Sequence, residues 1–150
     1  MPALITFGRF LFAVLFIYLG ATKLFAIQQT ADFLGSKVVI PSELAPYATQ
    51  VETASGMTMP QLLAIGGGVF ETLAGLMIAF NFGVRFFALI LVLYVAASTF
   101  YFYDFWNQSA PENAKVVVDA LKNLSLIGAL FFIAGYGRGP RVAEPAYGDV

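Results

Sequence analysis

The sequence has 150 residues, enough for one domain or bundle, and a net charge of −1. Hydrophobic residues make up 59% and charged residues 11%, with a mean hydropathy of +0.80, against roughly 45–50% and about 25% in soluble domains. This composition excludes a soluble fold, and the charge balance gives no basic field for nucleic acid. The chain has no cysteine and no histidine, so neither a metal site nor a covalent cofactor is expected.

The first apolar run predicts a helix over residues 3–26, uncharged from Phe10 to Thr22. A secretory signal peptide is the competing interpretation, but the weakly basic start and the poor cleavage site at Ala26 favour a helix that is retained. Helical spacing places four residues on one face of this helix: Arg9, Phe16, Gly20 and Lys23.

Residues 27–59 form the longest polar stretch and are predicted to be an outer loop. Its start, from Gln28 to Leu34, extends the first helix in one interpretation. Ser42 followed by Glu43 indicates a capped short helix that lies at the membrane interface. A docking surface and a solvated connector without a role both remain open for this segment.

The second helix is predicted over 60–81, with Pro60 at its first position. Glu71 lies near its middle, where a charge must face protein, water or a counter-charge. Small residues on the face of that carboxylate allow another helix to approach closely, and this face consists of Gly67, Glu71, Gly75 and Ala79.

A third helix is predicted over 85–104, opened by Arg85. Tyr103, Asp104 and Trp106 follow at the far boundary. These residues could hydrogen-bond a quinone carbonyl, although aromatic residues in this place are also typical of the membrane interface.

The fourth helix is predicted over 114–136. Its uncharged part is too short to cross a bilayer alone. Asp119, Lys122 and Asn123 are therefore expected in the outer third of the membrane or along a polar cavity.

These elements predict an all-α, integral membrane four-helix up-down bundle over residues 1–139, followed by a flexible tail over 140–150. The arginines gather at the predicted termini and at the turn before Arg85, which favours a cytoplasmic location for both termini.

Two charge clusters are predicted in the bundle. Arg9 and Arg85 are expected to reach Glu71 from the cytoplasmic side. A second network is expected on the outer side among Lys23, Asp104, Lys115, Asp119 and Lys122. Such charges would either line a polar cavity for a quinone, a proton or a small anion, or form ion pairs that fix the helix register.

An ordered set of motifs resembles the DoxX family of small bacterial four-helix membrane proteins over residues 5–139. The set comprises, in chain order, Arg9 followed by Phe16, Gly20 and Lys23, then Glu71 with Gly75, Gly83 with Arg85, the string Asp104-Phe105-Trp106-Asn107, the string Leu121-Lys122-Asn123-Leu124, and Gly128. The family's polar positions would correspond to Arg9, Lys23, Glu71, Arg85, Lys122 and Asn123 here. Many relatives have a histidine where this chain has Tyr103, so a histidine-dependent role is not carried over.

The resemblance implies a multi-pass protein of the bacterial cytoplasmic membrane, connected with the membrane subunits of thiosulfate:quinone oxidoreductases and with anchors of redox or detoxifying enzymes. The expected function is that of an accessory subunit of a quinone-linked redox complex that binds quinone or lipid near Glu71. A quinone-reducing membrane subunit and an oligomeric permease for small solutes or protons are the alternatives. Expected partners are membrane lipid and other redox subunits, or further copies of this chain.

Overall fold

The computed structural model describes residues 2–103 and 112–136, which form helices and no strand. The helices are α1 (Pro2–Phe25), α2 (Ile27–Lys37), α3 (Ala45–Ser55), α4 (Met59–Ala79), α5 (Val84–Phe102) and α6 (Glu112–Tyr136). Four of them are long and apolar enough to cross a membrane. The predicted all-α membrane bundle is therefore confirmed.

The stretch predicted to be a polar loop, 27–59, contains two helices. α2 starts directly after Ala26, whose backbone (φ −121°, ψ 50°) separates it from α1. The predicted helix at Ser42 begins later, because α3 has Leu44 at its N-cap. Ser42 does not cap α3; its hydroxyl instead donates to Glu43 Oε1 at 3.1 Å.

The start of α4 is anchored by side chains that accept from its unpaired backbone N–H groups. Glu52 of α3 accepts from the Met59 N–H at 2.6 Å, and Gln61 accepts from the Thr58 N–H at 3.0 Å. A carboxylate in this place also interacts favourably with the positive end of the helix dipole. This arrangement ties the polar segment to the beginning of the second membrane span.

The membrane spans pack as two pairs, α1 along α4 and α5 along α6, and the interface between α4 and α5 is smaller. The buried core between the pairs contains Phe16, Ile78, Leu91 and Leu130, each at most 1% exposed. Many large apolar side chains point outward instead, such as Phe132 at 73% exposure. Since the surrounding solvent of a membrane bundle is lipid, these side chains form its lipid-facing surface.

Glycines set the close approach of α1 and α4. A Cβ built on Gly20 would lie 2.6 Å from the Gly68 carbonyl oxygen, and one built on Gly75 would lie 3.0 Å from the Ile17 nitrogen. Gly67 instead faces α5, where its Cβ would lie 3.0 Å from the Tyr94 hydroxyl. The prediction that Gly75 admits a neighbouring helix is confirmed, and Gly67 makes room for a side chain.

A tight turn over 80–83 joins α4 to α5. Asn81 and Gly83 both have positive φ values, 63° and 57°. Asparagine and glycine tolerate this left-handed conformation better than other residues do. The turn presents the Asn81 side chain toward α1, where Arg9 donates a hydrogen bond to it.

Candidate intramembrane ligand site

An ion pair between α1 and α4 lies inside the membrane span. Lys23 Nζ is 2.6 Å from Glu71 Oε1. Glu71 is only 4% exposed, whereas the Lys23 side chain is 30% exposed. Glu71 precedes the end of α4 by eight residues, about 12 Å along the axis. The carboxylate thus sits deep in the bilayer with a cation beside it.

The predicted partners of Glu71 are wrong. Arg9 Nη1 donates to Asn81 Oδ1 at 2.8 Å, ten residues or about 15 Å of helix beyond Glu71. Arg85 is exposed, and it takes part in neither salt bridge that occurs between described residues. The register of the antiparallel α1–α4 pair explains the difference, because it places Arg9 at the α4–α5 turn and leaves Lys23 beside Glu71.

Tyr94 of α5 completes the polar group and was not predicted. Its hydroxyl accepts from Lys23 Nζ at 3.2 Å, and Lys23 Nζ lies 5.5 Å from the centre of its ring. Gly67 provides the space for this hydroxyl. A sequence signal existed, since Tyr94, Ser98 and Tyr101 recur at helical spacing within an otherwise apolar span.

A cavity of about 910 Å³ opens between the two helix pairs, and we call it the central cavity. This volume lies within the usual range of small-molecule sites, roughly 300–1,000 Å³. Lys23, Glu71 and Tyr94 form its polar end. Apolar walls extend from there toward α2 and α6, and these include Phe16, Leu19, Phe33, Leu34, Phe102 and Leu126.

The polar end has unused hydrogen-bonding capacity. Glu71 Oε2 is buried and has no partner among the described residues. Lys23 carries three N–H groups, and its hydrogen bonds within the described chain use two of them, to Glu71 and Tyr94. A ligand head group with both an acceptor and a donor would satisfy these atoms, since an unmade buried hydrogen bond is costly.

The outer half of the bundle differs from its prediction. Asn123 lines the central cavity and donates to Thr99 Oγ1 at 3.0 Å. Asp119 and Lys122 pair at 3.0 Å, but Lys122 is 70% exposed and neither residue lines that cavity. The predicted five-residue network is wrong for Lys23, which pairs with Glu71. Lys115 forms no salt bridge with another described residue, and its predicted neighbour Asp104 lies outside the described residues.

The remaining predicted site residues lie at the end of α5. Tyr103 follows the last helical residue and lines the central cavity. Asp104 and Trp106 lie outside the described residues, as does the predicted tail over 140–150. The central cavity therefore contains Lys23, Glu71, Tyr103 and Asn123 of the predicted residues.

Comparison with known proteins identifies one family and one curated relative. The model of the DoxX family matches residues 4–104. The inner membrane protein YphA of Escherichia coli (strain K12) is 23% identical over 138 residues, which cover 92% of this chain and 86% of that protein. No solved structure matches significantly.

Proposed function

Because the chain belongs to the DoxX family, we propose that it is an accessory membrane protein that binds a quinone in the central cavity. The observation that carries the proposal is the polar end of that cavity, where Glu71 Oε2 and one N–H group of Lys23 have no partner among the described residues. A quinone carbonyl can accept from Lys23, and the hydroxyl of the reduced form can donate to Glu71. The apolar walls suit the attached hydrocarbon chain.

Transfer of electrons would depend on the ligand and on a partner. The sequence has no cysteine or histidine with which to hold an iron–sulfur cluster or a histidine-ligated haem. In the proposed role the chain positions the quinone, and a redox subunit in or on the membrane supplies or removes the electrons. This partner is the second half of the proposal.

The proposed location is the inner membrane with both termini on the cytoplasmic side. The Escherichia coli relative YphA is an inner membrane protein, and this similarity and the four apolar spans support the location. Arg9 and Arg85 lie at the same end of the bundle, next to the α4–α5 turn, and basic residues favour the cytoplasmic side.

Extraction of quinone from the purified protein tests the binding site. The protein is extracted from bacterial membranes in mild detergent, washed, and analysed for quinone by solvent extraction and chromatography. We expect near-stoichiometric quinone with the wild type. Glu71→Gln should retain about tenfold less, because it removes the charge that holds Lys23 and weakens the acceptor at Oε2.

A matched pair on α5 separates filling of the cavity from general damage. Ala97 lines the central cavity, whereas the adjacent Ala96 is exposed and does not line it. Ala97→Phe should remove the quinone, and Ala96→Phe should leave it bound. Absence of quinone from the wild type, or equal amounts in both phenylalanine variants, would show that the cavity is not a quinone site.

Native mass spectrometry of the same extract tests the partner. A redox protein bound at fixed stoichiometry, and retained by Ala97→Phe, would support the accessory role. A homo-oligomer that keeps its quinone would refute the partner and leave the ligand site in place.

A further inference from the structure

Arg9 carries a positive charge that no described carboxylate neutralises. Its Nη1 donates to the neutral side chain of Asn81, and its Nε is buried with no hydrogen-bond partner in the part of the chain that the structure describes. The two salt bridges between described residues involve other side chains. A guanidinium has five N–H donors, so most of its capacity is free for an acceptor outside this part of the chain.

A second cavity of about 260 Å³ lies beside this guanidinium, between α1 and α6. We call it the Arg9 groove. Gly8, Arg9 and Phe12 of α1 form one wall, and Phe132, Ile133 and Tyr136 of α6 form the other. No heavy atom lies within 4 Å of a Cβ built at Gly8, so this glycine leaves the groove open.

The groove lies at the level of the membrane surface and faces lipid. Asn81 belongs to the turn between two membrane spans, so a guanidinium bonded to it sits near the headgroups. Phe132 is 73% exposed, which leaves its ring in contact with the acyl region. The groove therefore has a charged end at Arg9 and an apolar end at Phe132, and the two follow each other along the bilayer normal.

We propose that the Arg9 groove binds an anionic phospholipid, with the phosphate on Arg9 and one acyl chain between α1 and α6. A guanidinium near the headgroups attracts negative charge, and guanidinium–phosphate hydrogen bonds are among the strongest that proteins form. A free phosphate would satisfy the charge but would leave Phe132 and Ile133 uncovered. The mixed chemistry of the groove thus favours a lipid over a soluble anion.

Native mass spectrometry in a non-ionic detergent tests this site. The protein is titrated with phosphatidylglycerol and with phosphatidylcholine of the same acyl chains. Both lipids carry the phosphate, but the choline cation cancels its charge in phosphatidylcholine. We therefore expect phosphatidylglycerol to bind about fivefold more tightly, the effect of one net charge next to a basic residue near the membrane surface. Inorganic phosphate at millimolar concentration should not displace it.

Three variants locate the site. Arg9→Gln should remove the preference for phosphatidylglycerol, and Gly8→Leu should weaken the binding of both lipids by filling the groove without touching α4. Arg85→Gln, an exposed arginine at the same end of the bundle, should change neither. Thermal unfolding of each variant shows whether it is folded, and Gly8→Leu carries the test if Arg9→Gln does not fold.

The possible outcomes are distinguishable. A folded Arg9→Gln that keeps the preference, a folded Gly8→Leu with undiminished binding, or an equal loss in Arg85→Gln would each overturn the proposal. Displacement of the lipid by inorganic phosphate would assign Arg9 to a soluble anion and would overturn it as well.

Discussion

The two faces of α4 are built differently although both rely on glycine. Toward α1, Gly68 and Gly75 bring backbone against backbone, and a Cβ there would meet its neighbours at 2.8–3.1 Å. Toward α5, Gly67 opens space for the Tyr94 hydroxyl, beside Glu71 and the central cavity. The two adjacent glycines thus have opposite consequences. Gly68 brings α1 and α4 into close contact, an interface that we call the α1–α4 seam, whereas Gly67 helps to keep the central cavity open.

The difference follows from what drives association in lipid. Apolar side chains gain little by leaving lipid for a helix interface, so close packing must stabilise the α1–α4 seam. The α4–α5 side lacks that close approach and has the smaller interface. The central cavity opens there, and Lys23 of α1 reaches its polar end to pair with Glu71. We infer that stability resides mainly in the α1–α4 seam and ligand binding in the α4–α5 side.

The largest expected effect comes from breaking the seam. Gly20→Leu would drive a side chain into the Gly68 carbonyl and the Thr72 backbone nitrogen, which cannot move without separating the helices. We expect the free energy of unfolding to fall by more than about 3 kcal/mol, measured by denaturation in detergent micelles. Gly66→Leu is the matched control, because a Cβ at Gly66 meets no atom of another described element within 4 Å. A stable Gly20→Leu protein would contradict the close packing of α1 against α4.

A smaller loss of stability is expected from removing the ion pair between Lys23 and Glu71. Lys23→Leu and Glu71→Leu should each destabilise the fold by about 3 kcal/mol, because each strands a charge inside the span. The double variant should lose less than the sum, with a coupling of at least about 1.5 kcal/mol. Denaturation of the four proteins completes the cycle. Additive losses would show that the 2.6 Å contact is energetically unimportant.

The smallest effect is expected within the α5–α6 pair. Asn123→Ala removes the hydrogen bond to Thr99 and should cost about 0.6 kcal/mol, a typical value for one interhelical bond in a membrane. The control is Ser125→Ala, since the Ser125 hydroxyl donates to the Leu121 carbonyl of its own helix and to no other described residue. Equal unfolding midpoints for these two variants would indicate that the Asn123 bond does not hold α6.

Periodicity and composition predicted much of this architecture. The membrane spans and the shared face of Arg9, Phe16, Gly20 and Lys23 follow from local rules, because helical spacing alone determines them. In the structure this face does turn toward α4. Glu71 could likewise be identified as the central charge from its place in an apolar run.

The partner of Glu71 could not be predicted in the same way. A register between two helices depends on which small residues meet, and here Gly20 meets Gly68. Helical side chains also lean toward the N-terminus of their helix, which brings the Lys23 ammonium back to the level of Glu71. Tyr94 does not follow from the charge pattern, because it is a neutral polar side chain within an uncharged span.

Cysteine labelling tests the central claim most directly, and the chain has no native cysteine to interfere. Ser98 lines the central cavity, whereas Ala74 is fully buried in the core beside the seam. In lipid vesicles, Ser98→Cys should react with a small neutral thiol reagent at least about tenfold faster than Ala74→Cys, because reaction needs access and a stabilised thiolate. Equal rates for the two cysteines would contradict a closed seam next to an open cavity.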